Sequence, residues 1–184
     1  LVRNDKLKLL FVGSMSQRKG LADLFQAMKL VNSAHVSLSV LGTPSLPMPF
    51  YRKAYPHFEH LSPCSSTEVR RAMMNHHVLV LPSIVEGRAL VQQEALACGL
   101  PLIVTQNAGG EDLIEKKRTG FLVSIRKPEE IAGKIDWFIR NLDKLKDMSE
   151  FCRNKANEYK WSEYARSIIQ FCLRVRSESI DTQS

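Results

Sequence analysis

The sequence predicts an α/β fold with one parallel sheet and helices on both faces, and three observations support this class. Short apolar runs alternate with stretches of helical periodicity through much of the chain. Some runs are apolar at nearly every position, as in HVLVLPS, which is typical of strands buried on both faces of a parallel sheet. Others, such as KLKLLFVG and HVSLSVLG, stop at a glycine, where a strand gives way to a loop.

The first three predicted strands are KLKLLFVG, HVSLSVLG and HFEHLSP. After the first strand, GLADLFQAMKLVN repeats apolar residues at helical spacing and is predicted to be an amphipathic helix. TPSLPMPFYRKAYP carries four prolines, so we expect a loop there with at most one helical turn. SSTEVRRAMMNH opens with the serine and glutamate spacing of a capping box, which predicts another helix.

The remaining predicted strands are HVLVLPS, LPLIVT and TGFLVS. A helix is expected from about Gly87 to Cys98, and a short one around Leu113 after the loop QNAGGED. From Pro128, a favourable first helical position, the pattern is helical nearly to the end of the chain. We therefore expect a single Rossmann-like domain over residues 1–184 with about six strands, in which 177–184 form a flexible tail. Ligands of such sheets bind beyond the carboxyl ends of the strands.

The composition indicates a globular chain with phosphate-bearing partners. Its 184 residues are 44% hydrophobic and 24% charged, which suits one domain with a sizeable core. No apolar run approaches the ~18 residues of a membrane span, and the opening residues lack the features of a signal peptide. The net charge of +7 favours a nucleotide, an anionic membrane surface or nucleic acid as partner. The basic residues occur in scattered pairs without a nucleic-acid-binding motif, so binding to nucleic acid is not expected.

The four cysteines show no C-x-x-C or metal-ligand spacing and are predicted to be reduced core residues of a cytosolic protein. They are Cys64, Cys98, Cys152 and Cys172. The five histidines form no recognisable catalytic or metal set, and a structural role is expected for each. No acidic pair resembling D-x-D stands at a strand end, so no metal site is expected. Trp161 and Tyr164 open the last helix and belong either to the core or to an exposed apolar patch.

The loop VGSMSQRKG combines groups that bind phosphate. It follows the first strand with Gly13 and the hydroxyl of Ser14, and it ends with Arg18 and Lys19 at a helix entrance. Cations and helix-start amides together suit a phosphate group. The loop lacks both the Walker pattern G-x-x-x-x-G-K-[ST] and the pattern G-x-G-x-x-G. A solvated turn leading into the helix explains the same residues equally well.

Two glutamates, Glu86 and Glu94, follow the strand HVLVLPS. Glu86 is expected at the rim of the crevice, where the free amides of residues 87–90 form an anion site at the helix start. Glu94 lies eight residues on, roughly 12 Å along a helix. Burial of its charge without partners would be costly, and the hydroxyls of a ribose would satisfy it. The spacing suits a sugar diphosphate joined to a ribose, although two surface glutamates explain it as well.

The stretches FVGSMSQRKG, VLVLPSIVEGRALVQQEALACGLPLIVTQNAGGEDLI and TGFLV together resemble the C-terminal half of retaining glycosyltransferases of the GT-B fold. The similarity is greatest to glycosyltransferase family four, also called glycosyl transferases group 1, and covers about Leu7 to Leu145. Its specific features are a proline–serine strand end, two glutamates with seven residues between them, an alanine-rich helix, G-x-P before a strand, and a Gly-Gly loop. The resemblance implies that residues 1–6 are a linker from an N-terminal domain outside this chain.

The resemblance also assigns roles to individual residues. Lys19 is expected to grip the diphosphate of a sugar-nucleotide donor, with Arg18 as a neighbour that helps. Glu86 matches a glutamate that lies near the transferred sugar and aids catalysis, and Glu94 matches one that holds the ribose hydroxyls. The other residues assigned to the diphosphate site are Gly13, Ser14, Gly87, Arg88, Ala89 and Leu90.

Two positions depart from the family pattern. Many relatives have arginine after the strand-end glycine, where this chain has Ser14, which leaves Arg18 as the candidate replacement for that cation. Many relatives read E-G-F-G-L, where this chain has Arg88 and Ala89, so we expect a reshaped loop in which Arg88 either adds a cation or points to solvent. The Gly109-Gly110 pair matches a crevice loop whose duty varies among relatives.

The function implied by the resemblance is that of the nucleotide-sugar-binding half of a retaining glycosyltransferase. It transfers a hexosyl unit from an NDP-sugar, with a UDP-sugar favoured, to a glycan or lipid-linked acceptor in polysaccharide biosynthesis. The chain alone is expected to be inactive without the acceptor domain, to need no cofactor, and to be cytoplasmic with peripheral contact at an anionic inner membrane face. The main alternative is a free-standing nucleotide-binding module without transferase activity. Sugar-nucleotide epimerases, phosphorylases and nucleic-acid binders are more distant alternatives.

Overall fold

The computed structural model describes residues 6–62, 65–159 and 161–181, and its centre is a six-stranded parallel sheet. The strands are β1 (Leu7–Val12), β2 (Val36–Leu41), β3 (Phe58–Leu61), β4 (Val78–Leu81), β5 (Leu102–Thr105) and β6 (Gly120–Val123). Their order across the sheet is β3-β2-β1-β4-β5-β6, and every neighbouring pair is parallel. This is the doubly wound order of Rossmann-like folds, so the predicted fold class is confirmed.

Seven α-helices accompany the sheet in the described part of the chain. They are α1 (Leu21–Val31), α2 (Met48–Ala54), α3 (Ser66–Met74), α4 (Val91–Ala97), α5 (Pro128–Arg140), α6 (Leu145–Ala156) and α7 (Trp161–Asp181). Short 3-10 turns occur at Gln17–Lys19, Gln106–Ala108, Glu111–Leu113 and Leu142–Lys144. α1 packs against α5 and α4 packs against α6, as expected when helices cover both faces of a sheet.

The hydrophobic core lies between the sheet and these helices. β4 and β5 are buried at every residue, as their unbroken apolar sequences predict. Phe121, Trp137 and Phe138 contact one another edge to face, with ring centroids 4.9, 5.3 and 5.6 Å apart. Each fully buried large apolar side chain contributes roughly 1.5–3 kcal/mol to folding. This aromatic contact fixes α5 against the edge strand β6.

Two helices in the first half of the chain begin as their sequences direct. At the start of α3, Ser65 Oγ accepts a hydrogen bond from the Glu68 amide, and the Glu68 carboxylate accepts one from the Ser65 amide at 2.9 Å, which confirms the predicted capping box.

The proline-rich segment differs from the expected loop, because α2 makes two turns. Its prolines stand at the helix start, where a missing amide is tolerated, and Tyr51 anchors the helix by donating to the Met15 carbonyl at 2.6 Å.

The helix after β4 starts later than predicted. α4 begins at Val91, whereas the sequence pattern placed its start near Gly87. The cause is a tertiary contact: the amide of Ala89 donates to the carbonyl of Ala108 at 3.2 Å, which holds residues 87–90 in an irregular loop. A pattern of local residues carries no information on that contact.

The end of the chain is more helical than predicted. α7 continues to Asp181, so residues 177–181 of the predicted tail are helical, while 182–184 and residues 1–5 of the predicted linker lie outside the described residues. The side chains of residues 162–175 are all exposed, Tyr164 among them with 61% of its surface accessible. Of the two interpretations of Tyr164, the exposed apolar patch is therefore the correct one.

The cysteines do not all lie in the core. Cys152 is fully buried, and burial raises the pKa of its thiol to about 12, so it is an unreactive core residue as predicted. Cys98 is half-buried. Cys172 is exposed, contrary to the prediction, because the described side chains of α7 face solvent. Cys64 lies outside the described residues.

The strand order decides where a ligand can bind. β1 is followed in the chain by strands on one side of it, and β4 by strands on the other side. The loops after β1 and β4 therefore diverge and leave a crevice at the carboxyl edge of the sheet. Residues 13–20 and 82–90 border this crevice, and the turn after β5 lies next to the second of these loops.

Candidate functional site

The loops that follow β1 and β4 meet at the crevice through charged side chains. Lys19 Nζ donates a hydrogen bond to Glu86 Oε2, and Arg18 Nη1 lies 3.4 Å from Glu86 Oε1. The main chains are joined as well, because the amide of Ile84 donates to the carbonyl of Arg18 at 2.8 Å. Residues that the sequence placed on separate loops, Lys19, Arg18 and Glu86, therefore form one charged cluster.

Gly20 allows these loops to approach so closely. Its backbone has a φ of 73°, and a Cβ added there would lie 1.9 Å from the carbonyl oxygen of Pro82. Any side chain at this position would push the loop after β4 away and separate Lys19 from Glu86. The left-handed conformation and the close approach both require glycine.

The centre of the cluster is shielded from water. The side chains of Lys19 and Glu86 are 13% and 14% exposed, whereas that of Arg18 is 55% exposed. Burial by itself raises the pKa of Glu86, but the hydrogen bond and charge of Lys19, together with those of Arg18, outweigh burial and lower the pKa below its usual value. Glu86 is therefore ionised at neutral pH and is held between two cations.

Gly13 and Ser14 lie beside this cluster at the end of β1. A Cβ added at Gly13 would lie 3.5 Å from Cε of Lys19, so the lysine side chain runs next to this glycine. Ser14 Oγ lies 3.2 Å from Ser16 Oγ, which places two hydroxyls in the same loop. The structure thus groups Gly13, Lys19 and Arg18 as the sequence predicted, with Ser14 nearby in the chain.

Glu94 is not part of the cluster. Its side chain on α4 is exposed and makes no hydrogen bond or ion pair with the other described residues. The predicted cost of burying its charge therefore does not arise, and the argument from burial for a ribose partner is wrong. The expected helical spacing from Glu86 also fails, because the helix covers only Val91–Ala97. The ribose role stays a prediction from the family pattern.

The predicted anion site at a helix start falls on an irregular loop. The amide of Ala89 already donates to the carbonyl of Ala108. The amides of Gly87, Arg88 and Leu90 make no backbone hydrogen bond within the part of the chain that the structure describes. Three of the four predicted donors are thus available to an anion, although no helix orients them.

The turn after β5 supports this loop from below. Asn107 Nδ2 donates to the carbonyl of Ile84 at 2.9 Å, and Ile84 lies two positions before Glu86 in the chain. Gly109 has a φ of 66°, and a Cβ there would lie 1.9 Å from the carbonyl oxygen of Gly87. Gly109 therefore allows the turn to pack directly against the loop that carries Glu86, whereas a Cβ at Gly110 would lie 2.2 Å from Oε1 of Gln92 on α4.

Arg88 differs from both expectations for it. It forms a two-pronged ion pair with Asp112, with nitrogen–oxygen distances of 3.0 and 3.2 Å. Its guanidinium carbon also lies 5.4 Å from the ring centre of Tyr159. The side chain is 38% exposed but is tied to Asp112 rather than free in solvent, it makes no ion pair with Glu86, and it contacts two residues that did not stand out in the sequence.

Other features of the described chain bear on what it can bind. Within it, no group of three or more His, Cys, Asp or Glu side chains is arranged to hold a metal ion. None of the helices in the described ranges combines the length and apolarity needed to cross a membrane. A cavity of about 480 Å³ lies between α4 and α7, lined among others by Arg88, Leu90 and Tyr164.

Residues 6–141 match the protein family described as Glycosyl transferases group 1. The chain belongs to this family. A D-inositol 3-phosphate glycosyltransferase from Paenarthrobacter aurescens is 26% identical over 183 residues, which cover 92% of this chain and 44% of that relative. The group 1 chain described here thus spans less than half the length of the curated relative it matches.

Solved glycosyltransferase structures share the fold of this group 1 domain. The C-terminal domain of the group 1 family protein LpcC from Francisella tularensis has a TM-score of 0.74 at 18% identity, covering 84% of this chain and 86% of that one. Anabaena HepE, solved in complex with UDP-glucose, has a TM-score of 0.72 at 19% identity, covering 85% of this chain and 45% of HepE. At such identities the likeness establishes the architecture alone, which is that of the C-terminal half of a GT-B protein.

Sequence reasoning missed Gln92, Asp112 and Tyr159, which shape the site of this group 1 domain. Gln92 is fully buried, and its Nε2 donates to the Ala108 carbonyl at 2.8 Å, while its Oε1 has no partner within the described ranges. A signal for Gln92 existed, because it stands at helical spacing from two buried residues of α4, Ala95 and Leu96. Asp112 and Tyr159 had no such local signal.

Proposed function

We propose that this chain is the donor-binding half of a retaining glycosyltransferase of the GT-B type, in glycosyltransferase family four. It binds a nucleoside-diphosphate sugar and, with an N-terminal acceptor domain, transfers a hexosyl unit to a glycan or lipid-linked acceptor in polysaccharide biosynthesis. The observation that carries the proposal is the convergence of Lys19, Arg18 and Glu86 between β1 and β4, where doubly wound sheets bind their ligands.

In this proposal the cations act on the leaving group. Negative charge grows on the diphosphate as its bond to the sugar breaks, and Lys19 and Arg18 stabilise that charge from fixed positions. The amides of Gly87 and Leu90 add hydrogen bonds from the neighbouring loop. Because side chains and amides supply the positive charge, the proposal includes no metal and no other cofactor.

Glu86 serves the sugar rather than the diphosphate. Its carboxylate is ionised and is oriented by Lys19, so it accepts hydrogen bonds from sugar hydroxyls and stabilises positive charge at the reacting carbon. The acceptor oxygen bonds to the reacting carbon on the face that the diphosphate leaves, and its proton passes to the departing diphosphate, so the configuration is kept. A carboxylate fixed before the substrate arrives needs little rearrangement during the reaction.

The remaining parts of the proposal concern the ribose, the base and the location of the protein. Glu94 accepts hydrogen bonds from the ribose hydroxyls, since its exposed carboxylate has no other partner within the described residues. Uridine is the proposed base because HepE, which shares the fold, was solved with UDP-glucose. The net charge of +7 supports a cytoplasmic location with peripheral contact at an anionic membrane face.

A panel of nucleotides tests the proposal on the 184-residue chain. UDP and UDP-glucose are expected to raise the unfolding temperature, and uridine without phosphate is not. A ligand at a hundred times its Kd adds about 2.7 kcal/mol, and each kcal/mol raises the Tm of a domain of this size by about 2–4 °C.

If UDP does not raise the unfolding temperature, GDP, ADP and their sugars are tested in the same way, and the nucleotide that raises it identifies the base. A folded chain that responds to none of these nucleotides contradicts the proposal. Salt-sensitive binding to DNA without a response to nucleotides would identify a nucleic-acid binder instead.

A further inference from the structure

Arg88 links three segments that are distant in the sequence. It stands in the loop after β4, two residues from Glu86, and pairs with Asp112 in the turn after β5. Tyr159, between α6 and α7, lies against the Arg88 guanidinium and donates its hydroxyl to the Asp112 carbonyl at 3.2 Å. These residues, Arg88, Asp112 and Tyr159, are called the Arg88 cluster below.

The ion pair between Arg88 and Asp112 fixes the orientation of the loop more than it contributes to the free energy of folding. Two parallel hydrogen bonds fix a guanidinium relative to a carboxylate in both distance and angle. The side chains of Arg88 and Asp112 are 38% and 45% exposed, and exposed pairs contribute about 1 kcal/mol or less to folding. The consequence of the pair therefore lies in where it holds the loop.

The loop after β4 is restrained on both sides of Glu86. On one side, Lys19 and Arg18 hold the carboxylate itself. On the other side, Arg88 is tied to Asp112, and the Gly87 carbonyl packs against Gly109 of the same turn. Release of Arg88 would leave residues 87–90 with a single backbone hydrogen bond to that turn, from Ala89.

We propose that the Arg88 cluster positions the loop carrying Glu86 and couples its position to the junction of α6 and α7. Arg88 is then a positioning residue and does not bind the diphosphate. This inference rests on the proposed function where it concerns donor binding, and on the contacts alone where it concerns the loop. Because Tyr159 lies two positions before the start of α7 at Trp161, a displacement of that helix would reach the donor loop through Arg88.

Direct binding of the diphosphate by Arg88 is the competing role, and it predicts the opposite effect of changing Asp112. If Arg88 binds phosphate, Asp112→Asn frees it and leaves UDP affinity unchanged or higher. If Arg88 positions the loop, Asp112→Asn lowers UDP affinity in the same direction as Arg88→Gln. The charge-exchanged double variant Arg88→Asp with Asp112→Arg restores a pair but places no cation at position 88.

Calorimetry with UDP on the 184-residue chain separates these roles. Arg88→Gln and Asp112→Asn are each expected to weaken UDP binding about threefold to tenfold, which lies in the lower part of the range of coupling between contacting residues. The exchanged double variant is expected to recover most of the loss. Arg118→Gln is the matched control, since Arg118 also pairs with a carboxylate, Glu115, and lies over an aromatic ring. UDP binding that is unaffected by Asp112→Asn but lost in the exchanged variant overturns the proposal.

Hydrogen exchange without nucleotide tests the positioning independently of the proposed function. Arg88→Gln, Asp112→Asn and Tyr159→Phe are expected to speed exchange of the Ala89 amide, which donates to the Ala108 carbonyl, and Arg118→Gln is not. An unchanged rate at Ala89 in all three variants overturns the proposal, whether or not the chain binds UDP. Faster exchange in a chain that binds no nucleotide retains the positioning role and rejects the donor-binding function.

Discussion

The carboxylates of Glu86 and Glu94 stand in one sequence motif but in different physical states. Glu86 is 14% exposed, bonded to Lys19 and near Arg18, and its pKa is held below the usual range. Glu94 is exposed on α4 and has no side-chain partner within the described residues. Glu86 therefore has its orientation fixed by the protein, whereas Glu94 gains an orientation only from a ligand.

This difference indicates where substitutions act. A change at the Lys19–Glu86 pair alters the charge and arrangement of the crevice itself, because each partner orients the other. A change at Glu94 removes a contact to the ligand and leaves the protein as it was. The following predictions test that contrast, beginning with the largest expected effect.

Replacement of Lys19 is expected to have the greatest effect on nucleotide binding. Lys19→Met removes a cation from the proposed diphosphate site and leaves Glu86 as a shielded carboxylate without its closest partner. Hydrogen bonds to charged groups contribute about 1.5–3 kcal/mol, so UDP affinity should fall about tenfold to a hundredfold. Calorimetry with UDP measures the change.

The control for Lys19 is Lys29→Met, which removes the same charge from an exposed position on α1. It is expected to leave UDP affinity within about twofold, since exposed charges at a distance are screened by salt. Equal losses in the two variants would mean that net charge, rather than the crevice cluster, governs binding.

Replacement of Glu94 is expected to weaken UDP and UDP-glucose to the same extent. If Glu94 holds the ribose, Glu94→Ala removes charge-assisted hydrogen bonds, and about tenfold in affinity is expected because the site is open to water. Gln93→Ala is the control, as a neighbouring polar residue of α4 that lines the cavity on the α7 side. Unchanged affinity in a folded Glu94→Ala variant would make Glu94 a surface residue without a ligand.

The sequence was sufficient to predict the parts of the site that depend on the sheet. Strand ends fall where apolar runs end, and the doubly wound order then brings Lys19 and Glu86 together from positions 67 residues apart. The sequence identifies Gly20 as a glycine at a helix entrance. It gives no sign of the close approach between Gly20 and Pro82. The confirmed elements are those that a local pattern defines.

The parts that escaped prediction depend on contacts between loops. Arg88 pairs with Asp112, 24 positions away, and Tyr159 is 47 positions beyond Asp112. The start of α4 was misplaced for the same reason, since a hydrogen bond from Ala89 to Ala108 replaces the first helical turn. The sequence left open whether Glu94 is buried against a ribose or lies on the surface, and only the position of α4 in the fold shows that it faces outward.

Replacement of Glu86 by glutamine is expected to change the ratio of the affinities for UDP-glucose and UDP more than it changes the affinity for UDP itself. Loss of the negative charge frees Lys19 for the diphosphate, so UDP should bind about as well as before or up to threefold better. UDP-glucose loses its carboxylate contact, so its affinity relative to UDP should fall about threefold to tenfold. Calorimetry with both ligands measures the ratio, and a uniform loss for both would place Glu86 at the diphosphate instead.

The smallest expected effect is a pH dependence of stability that Glu86 confers. The folded state lowers the pKa of Glu86, so the ionised form stabilises the fold. That contribution is fully present above the pKa of the unfolded chain, about 4.3 for glutamate, and is lost as pH falls through the lower folded value.

Urea unfolding of the parent chain and of Glu86→Gln at pH 7, 5 and 4 measures this contribution. The stability of the parent relative to the variant should be constant from pH 7 to 5 and should decrease by about 1 kcal/mol or less at lower pH. Glu94→Gln at pH 7 serves as the comparison, because replacing an exposed side chain without partners in the described structure should change the unfolding free energy little. A difference between parent and Glu86→Gln that does not vary with pH would mean that the pair with Lys19 is not formed in solution, and the contrast between the two glutamates would then rest on exposure alone.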